Sequence, residues 1–169
     1  MQILHIITGG TIDSRYDITK DTVVPLEKSI IPNYIAGIKP YFQYRCIELC
    51  MKDSRSITQE DRHKILAIIQ WAKEEYILVT HGTYTMPDTA RYIREKIGTN
   101  LQKTIILTGS MIPIHGFSPS DAGFNLWFAI ASFSHSPHWV YVAMNAKLFA
   151  PEDVIKTLEE GRFSSISEG

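Results

Sequence analysis

Short apolar segments alternate with longer amphipathic segments along the chain. Five of the short segments predict β-strands, because they are rich in β-branched and aromatic residues and are bounded by turn residues. These predicted strands comprise residues 3–7, 43–50, 76–80, 104–107 and 139–144. Several of them are almost wholly apolar, which is typical of strands that are covered on both faces of a sheet.

The amphipathic segments between the strands predict helices. Thr58 is the expected N-cap of one helix, where Asp61 completes a variant of the capping box, and Thr85 is the expected N-cap of the next. A further helix is expected over residues 123–132, and a less regular one, interrupted by a proline, over residues 26–36. Strands that alternate with helices predict an α/β fold. Right-handed crossovers then place helices on both faces, which gives a three-layer α/β/α sandwich with a mainly parallel sheet.

Length and composition limit the classes of protein to consider. The 169 residues suffice for one domain and are too few for two ordinary ones, so residues 1–169 are expected to form a single α/β domain. A hydrophobic fraction of 44% and a charged fraction of 21% exclude a disordered chain. The net charge of −1 argues against a nucleic-acid partner, and no apolar run approaches the ~18 residues of a membrane span. The first residues lack the features of a secretion signal, so we expect a cytoplasmic protein.

Cysteine and histidine residues give no pattern that favours redox or metal chemistry. Cys46 and Cys50 lie in one predicted strand, where four residues separate them by ~13 Å, beyond the reach of a disulfide. We therefore expect buried, reduced thiols. His135 and His138 flank a predicted loop, where two solvated imidazoles are favoured over a zinc site.

Turns with hydroxyl groups or glycines follow four of the predicted strands. These turns comprise residues 8–11 (TGGT), 53–54 (DS), 81–83 (HGT) and 108–110 (TGS). The carboxyl ends of parallel strands lie at one edge of a sheet, where such folds place their sites. We therefore expect one pocket, rich in hydroxyls and free backbone N–H groups, that suits a small carboxylate-bearing ligand or a developing oxyanion. Each turn taken alone is also consistent with ordinary turn chemistry.

The glycine-rich turn over residues 8–11 does not favour nucleotide binding. It lacks the third glycine of the dinucleotide fingerprint and the Gly-Lys-Ser/Thr of a P-loop. The acidic residue expected about 20 positions further on in a dinucleotide-binding unit is also missing.

The same turns resemble the motifs of the bacterial-type L-asparaginases. That family carries a TGGTI turn, an HGTDTM-x-x-TA turn and a GAMRP turn, in this order. This chain has TGGTI at 8–12, HGTYTMPDTA at 81–90 and GSMIP at 109–113. Residues 120–126 (SDAGFNL) and the stretch 144–156 resemble the family's SADG-x-FNL segment and the approach to its catalytic lysine. The resemblance covers the N-terminal domain of a typical two-domain member, as expected for a short, single-domain member.

The resemblance implies an amidohydrolase that converts the carboxamide of L-asparagine, or of a related small amide, to a carboxylate and ammonia without a cofactor or metal. Thr11 matches the nucleophilic threonine, and Tyr16 is the nearest match to the tyrosine on a mobile loop that assists it. Thr83 matches the second catalytic threonine, and Lys156 matches the lysine that activates it. Taken alone, Lys156 is typical of a solvated helix residue, whereas a desolvated lysine can act as a base.

Substrate binding is implied for further residues of the same turns. Ser54 matches the serine that binds the substrate carboxylate. Backbone N–H groups beside the two threonines would hold the oxyanion, which adds Gly10 and Gly82 to the expected site. Ser110 in the fourth turn is expected to contribute as well.

Ile112 replaces the arginine of the GAMRP turn, and two further departures from the family pattern bear on the substrate. Tyr84 replaces the aspartate that binds the α-ammonium of asparagine, and tyrosine is neutral at pH 7. Arg55 follows Ser54 where the family has a small or amide residue, and it adds a positive charge that favours a carboxylate. These changes favour a carboxamide that lacks the α-ammonium. In the alternative, Tyr84 points away from the substrate and an acid from a second subunit replaces the aspartate.

Two other interpretations of the chain stay open at this point. One is a non-catalytic binding domain that retains the asparaginase fold, and the other is a fragment of a multi-subunit enzyme. The presence of Thr11, Thr83 and Lys156 favours an enzyme over a non-catalytic binding domain. Without a second domain, closure of the pocket must come from the 13–25 loop or from another copy. Because a lone domain leaves the pocket edge open, we expect a homodimer or homotetramer.

Overall fold

The structure, a computed structural model, describes residues 1–98 and 101–168. Its strands are β1 (Gln2–Gly9), β2 (Ser14–Asp17), β3 (Thr22–Pro25), β4 (Gln43–Lys52), β5 (Tyr76–Thr80), β6 (Thr104–Thr108), β7 (Val140–Met144), β8 (Lys147–Phe149), β9 (Val154–Thr157) and β10 (Arg162–Ser165). Its helices are α1 (Ile31–Gly37), α2 (Gln59–Trp71), α3 (Met86–Ile97) and α4 (Ala122–Ser132). The central six-stranded sheet has the order β4–β1–β5–β6–β7–β8, with parallel pairing up to β7 and antiparallel pairing of β8. The mainly parallel sheet expected from the sequence is confirmed.

Helices cover both faces of this sheet. On one face, α2 and α3 contribute Ile65 and Ile93 to an apolar cluster that contains Leu4 of β1. On the other face, α1 and α4 pack against Ile3, the preceding residue of the same strand, through residues such as Leu126. Successive side chains of a strand point to opposite faces, so β1 contributes to both clusters. The three-layer α/β/α sandwich is therefore confirmed.

The two predicted helix caps have different outcomes. The Thr58 hydroxyl accepts a hydrogen bond from the Asp61 backbone N–H at 3.2 Å, and Asp61 accepts one from the Thr58 N–H at 2.8 Å, so the capping box is confirmed. Lys52 adds an ion pair with Asp61 at 2.7 Å. Thr85 does stand before α3, but its side chain makes no cap. Its hydroxyl donates to the backbone oxygen of Ser54 at 2.7 Å, a tertiary partner that local sequence cannot reveal.

The first helix is shorter than expected. It spans Ile31–Gly37, with Pro32 in its first turn rather than as an interruption. Proline suits this position because its fixed φ is helical and its missing N–H has no partner there. No helix in residues 1–98 or 101–168 is both long and apolar enough to cross a bilayer.

The expectation of two buried thiols is wrong for Cys46 and only partly met by Cys50. Both cysteines are free, but Cys46 is exposed and Cys50 is only partly buried. The reason is the place of β4 at the edge of the central sheet, where every residue of the strand is exposed or only partly buried. Burial raises the pKa of the Cys50 thiol to about 11, which keeps that thiol protonated.

Two small antiparallel hairpins lie outside the central sheet, and the sequence did not predict either. One pairs β2 with β3, and the other pairs β9 with β10. Lys156 is therefore a strand residue, which corrects the expectation of a solvated helix position. The segment is strand-like because Val154 and Phe163 are buried in the core while the backbone pairs across the hairpin.

Candidate active site

The four turns singled out in the sequence meet at one edge of the sheet. They follow β4, β1, β5 and β6, which are neighbours in the sheet and parallel to one another. Backbone hydrogen bonds join them in pairs: the Gly10 N–H donates to the Lys52 oxygen at 2.9 Å, and the His81 N–H donates to the Thr108 oxygen at 2.9 Å. The predicted convergence of these turns is confirmed.

Two glycines allow the turns to touch. A Cβ atom on Gly10 would lie 2.3 Å from the Cα atom of Gly82, and Gly10 also has a φ of +85°. A Cβ atom on Gly82 would lie 2.5 Å from the Cβ atom of Ser54. Real contacts are not this short, so only glycine fits at either position. The backbones of the Gly10 and Gly82 turns are thus in contact, and Ser54 packs against Gly82. Thr11 and Thr83 directly follow the two glycines.

Ser54 ties the second turn to the third. Its buried hydroxyl accepts a hydrogen bond from the Tyr84 N–H at 3.2 Å, and its backbone oxygen accepts the Thr85 hydroxyl at 2.7 Å. A hydroxyl that accepts from a backbone N–H still has its own hydrogen to donate. The Ser54 hydroxyl can therefore donate to a ligand carboxylate without losing its partner in the protein.

Lys156 reaches across from β9 to Thr83. Its Nζ atom lies 2.7 Å from the Thr83 hydroxyl oxygen, and Thr83 is buried. Burial lowers the pKa of Lys156 below its ordinary value; the positive charge of Arg55 adds to this shift, and the Asp53 carboxylate opposes it. A lysine with a lowered pKa is neutral in a larger fraction of molecules at a given pH, and a neutral amine can accept a hydroxyl proton.

His81, a buried residue, stabilises the turn that carries Thr83. Its Nδ1 atom donates to the Gly82 oxygen at 2.8 Å, and its Nε2 atom then accepts from the Thr89 hydroxyl at 3.0 Å. Burial lowers the pKa of His81 to about 4, so the ring is neutral at pH 7. The two hydrogen bonds require a single tautomer, which makes His81 a fixed support rather than an acid or base.

Tyr84 faces cations. The Arg55 guanidinium carbon lies 4.4 Å from the centre of the Tyr84 ring, and Lys156 Nζ lies 5.9 Å from it. Asp88, the next acid along the chain, pairs with Arg91 at 3.0 Å. A small cleft of about 180 Å³ runs beside this group, and its lining comprises Tyr84, Pro87, Asp88, Arg91, Val154, Ile155, Lys156 and Leu158.

The remaining predicted residues are less directly engaged. Thr11 is partly exposed at the start of a 3₁₀ turn. Tyr16 is 47% exposed on the β2–β3 hairpin, and its hydroxyl donates to the carboxylate of Asp21 in the same hairpin. Ser110 is fully buried and donates to the Ile112 oxygen at 2.6 Å. The roles of these three residues stay predictions.

Two asparagines within the motif segments were given no role from the sequence. Asn125 is buried, and its amide donates to the Gly109 oxygen at 3.1 Å and to Asp121 at 2.9 Å. Asn145 accepts a hydrogen bond from the Phe163 N–H at 3.0 Å. The sequence signal that could have identified them is an asparagine within a segment that matches a family motif. Within the described ranges, no cluster of His, Cys, Asp or Glu side chains has metal-binding geometry.

Comparison with known proteins assigns this arrangement to a family. The family model for the asparaginase N-terminal region matches residues 2–168. The chain belongs to the asparaginase family. The asparaginase resemblance noted in the sequence is thereby confirmed over nearly the whole chain.

Three relatives show the extent of the similarity of this asparaginase-family chain. A glutaminase-asparaginase of Acinetobacter glutaminasificans is 28% identical, covering 98% of this chain and 53% of the relative. One subunit of the glutamyl-tRNA(Gln) amidotransferase of Aeropyrum pernix is 32% identical, covering 76% of this chain and 31% of that protein. The L-asparaginase structure from Thermococcus kodakarensis superposes with a TM-score of 0.82 at 29% identity, covering 98% of this chain and 51% of the other. This chain spans about half the length of the first and the third.

Proposed function

We propose that this asparaginase-family chain is an amidohydrolase that converts a small carboxamide to a carboxylate and ammonia. The observation that carries the proposal is the 2.7 Å contact between Lys156 Nζ and Thr83 Oγ1, in a turn that touches the Gly10 turn. A half-buried lysine with a purely structural role is expected to pair with a carboxylate. This one pairs with a hydroxyl, which is what an amine that accepts a proton requires.

In the proposed reaction, Thr11 Oγ1 attacks the amide carbon and the amide nitrogen leaves. Tyr16 relays the Thr11 proton to that nitrogen, so ammonia departs and an ester of Thr11 remains. Lys156 then draws the proton of Thr83, whose oxygen activates a water molecule. The water gives one proton to Thr83 and adds to the ester as hydroxide, and the C–O bond to Thr11 breaks. The other proton of the water passes to the Thr11 oxygen, which leaves a carboxylate, and Lys156 loses its proton to solvent. Backbone N–H groups of the touching turns hold the oxyanion in both steps, except that of Gly10, which donates to the Lys52 oxygen instead.

The environment of Tyr84 supports a substrate without an α-ammonium. Arg55 and Lys156 both lie near its ring, so a cationic group of the substrate would meet the permanent positive charge of Arg55. Asp53 is the nearest acid of that turn, and one of its oxygens already accepts the Arg55 N–H at 2.9 Å. An ammonium here would lose the dedicated anionic partner that an aspartate at position 84 supplies, which weakens its binding. A carboxylate at the same place would be attracted by Arg55.

The deciding experiment measures ammonia release from L-asparagine, L-glutamine and succinamic acid, which is asparagine without its amino group. We expect a higher kcat/KM for succinamic acid in the unmodified protein. Tyr84→Asp restores an anionic partner worth about 1.5–3 kcal/mol, so kcat/KM for L-asparagine is expected to rise about 10- to 100-fold. Tyr41→Asp, at a fully exposed tyrosine, is the matched control and is expected to change nothing.

Two results would redirect the proposal. If the unmodified protein strongly prefers asparagine and Asp53→Asn abolishes that preference, Asp53 is the ammonium anchor and the role given to Tyr84 is wrong. If no amide in the set yields ammonia while calorimetry detects binding, the chain is a ligand-binding domain with an asparaginase fold.

Other expectations from the sequence stay predictions. These are a single domain over residues 1–169, a cytoplasmic location, and a homodimer or homotetramer without nucleic-acid or membrane partners. The oligomeric state is the simplest to test, because light scattering at micromolar concentration would contradict it with a mass near 19.2 kDa.

A further inference from the structure

We propose that Asn125 and Asn145 are positioning residues that connect the fourth turn of the site to the hairpin of Lys156. This inference rests on the proposed role of Lys156, but its test includes a measurement that needs no turnover. The assignment follows from a continuous chain of hydrogen bonds that starts at Asp121 and ends at Phe163.

The hairpin of Lys156 needs such an attachment. β9 and β10 form a separate two-stranded sheet that makes no strand pairing with the central sheet. Lys156 and Phe163 are directly opposite each other across this hairpin. Any shift of Phe163 along the hairpin therefore moves Lys156, and the 2.7 Å contact with Thr83 tolerates little movement.

Asn145 holds the Phe163 side of the hairpin. Its side-chain oxygen accepts the Phe163 N–H at 3.0 Å. Asn145 itself has a φ of 53°, in the left-handed region that asparagine tolerates better than most residues, in the turn between β7 and β8. The turn conformation thus aims an amide oxygen at the backbone opposite Lys156.

Asn125 connects that turn to the rest of the site. Its side-chain oxygen accepts the Asn145 N–H at 3.1 Å, while its amide nitrogen donates to Gly109 and Asp121. Asp121 accepts the N–H groups of Met111 and Ile112, both at 2.9 Å. The fourth turn and the hairpin are therefore joined through one buried amide whose donor and acceptor are both used.

The opposite strand has its own anchor. The Arg91 guanidinium donates to the backbone oxygens of Pro151 and Val154 at 3.2 and 3.3 Å. Arg91 thus fixes the entry to β9, and Asn145 fixes β10. Losing the Asn145 bond is expected to loosen the hairpin at Lys156 without unfolding it, because Val154 and Phe163 stay buried in the core.

The test compares two substitutions at Asn145. Glycine keeps the left-handed backbone and removes the acceptor, whereas aspartate keeps an acceptor for the Phe163 N–H. We expect Asn145→Gly to lower kcat about tenfold or more with little change in KM, and Asn145→Asp to retain most of kcat. Lys39→Gly is the matched control, because Lys39 is exposed and has the same φ of 53°.

A readout on the free protein separates positioning from general destabilisation. The Lys156 signal is assigned in spectra of protein with isotope-labelled lysine by its absence in Lys156→Met, and its titration is followed. The charged or titratable groups around Lys156 are Asp53, Arg55, Tyr84, the Asp88–Arg91 pair and the Glu160–Arg162 pair of the same hairpin. These groups are unchanged in Asn145→Gly, so a titration that moves toward that of an ordinary lysine reports that Lys156 has left its position.

The expected result is a shifted Lys156 titration in Asn145→Gly, an unshifted one in Lys39→Gly, and thermal unfolding that is still cooperative in both. Unchanged kcat and an unchanged Lys156 titration in Asn145→Gly would overturn the inference. If no amide is hydrolysed at all, the proposed function fails, and the titration alone still decides whether Asn145 positions Lys156.

Discussion

The two hairpins outside the central sheet carry Tyr16 and Lys156, and the protein holds them in different ways. The β9–β10 hairpin buries Val154 and Phe163 in the core, and its backbone is bound by Arg91 and Asn145. The β2–β3 hairpin buries only Ser14 at its base, and most of its other side chains are exposed. Burial of a large apolar side chain contributes about 1.5–3 kcal/mol to stability, and the β2–β3 hairpin lacks this contribution.

This difference indicates different parts in the proposed reaction. Lys156 contacts Thr83 directly, so the structure itself positions this pair. Tyr16 instead contacts Asp21 of its own hairpin, and that bond raises the pKa of Tyr16. Tyr16 must leave Asp21 before it can serve Thr11. In the proposed reaction, one hairpin would therefore supply a fixed base, and the other would supply a residue that is recruited.

The largest effect is expected at Thr11, which lies directly before the β2–β3 hairpin. Thr11→Val keeps the shape of the side chain and removes the attacking oxygen, so turnover is expected to fall by several orders of magnitude with folding unchanged. Ammonia release and thermal unfolding are measured together. Thr22→Val, at an exposed threonine of β3, is the matched control, and near-full activity of Thr11→Val would refute the nucleophile.

The next effect concerns the anchored hairpin. Lys156→Met is expected to lower the rate about 10²- to 10⁴-fold, the usual contribution of a positioned base. Because Lys156 and Thr83 are proposed to act as one unit, adding Thr83→Val should cost little more. Steady-state kinetics of the two single variants and the double variant measure this, and losses that multiply would mean that the residues act independently.

A smaller effect is expected in the pH profile. The neutral amine of Lys156 is the proposed base, so kcat is expected to rise as the pH increases through the pKa of this lysine. At pH values below that pKa, kcat is expected to be low. Arg55 lowers that pKa, so Arg55→Gln is expected to move the rising limb to higher pH. Arg45→Gln, at an exposed arginine of β4, is the control. A limb that stays in place in Arg55→Gln would show that Lys156 does not govern the profile.

The smallest effect is a difference in amide exchange between the hairpins. Backbone N–H groups of the β2–β3 pair are expected to exchange about tenfold faster than that of Phe163, because few buried contacts oppose their opening. Hydrogen exchange followed by nuclear magnetic resonance measures both in one sample. Equal protection of the two hairpins would remove the contrast between them.

Much of the architecture follows from local patterns in the sequence. Apolar runs with short periods predicted the five parallel strands, and the Thr58–Asp61 capping box predicted the start of α2, because these signals act within a few residues. The four hydroxyl- and glycine-rich turns were likewise visible, and parallel pairing implied that they share one edge. The four turns of the candidate site could therefore be predicted as a set.

The family resemblance implied that Lys156 acts on Thr83, but only the tertiary structure shows how the two residues meet. Lys156 and Thr83 are 73 positions apart, and only the packing of Phe163 and Val154 makes the Lys156 segment a strand rather than a helix. The exposure of Cys46 depends in the same way on the edge position of β4, which no local pattern encodes. Local sequence sets the period of side chains and the shape of turns, whereas burial and long-range hydrogen bonds determine partners that lie far along the chain.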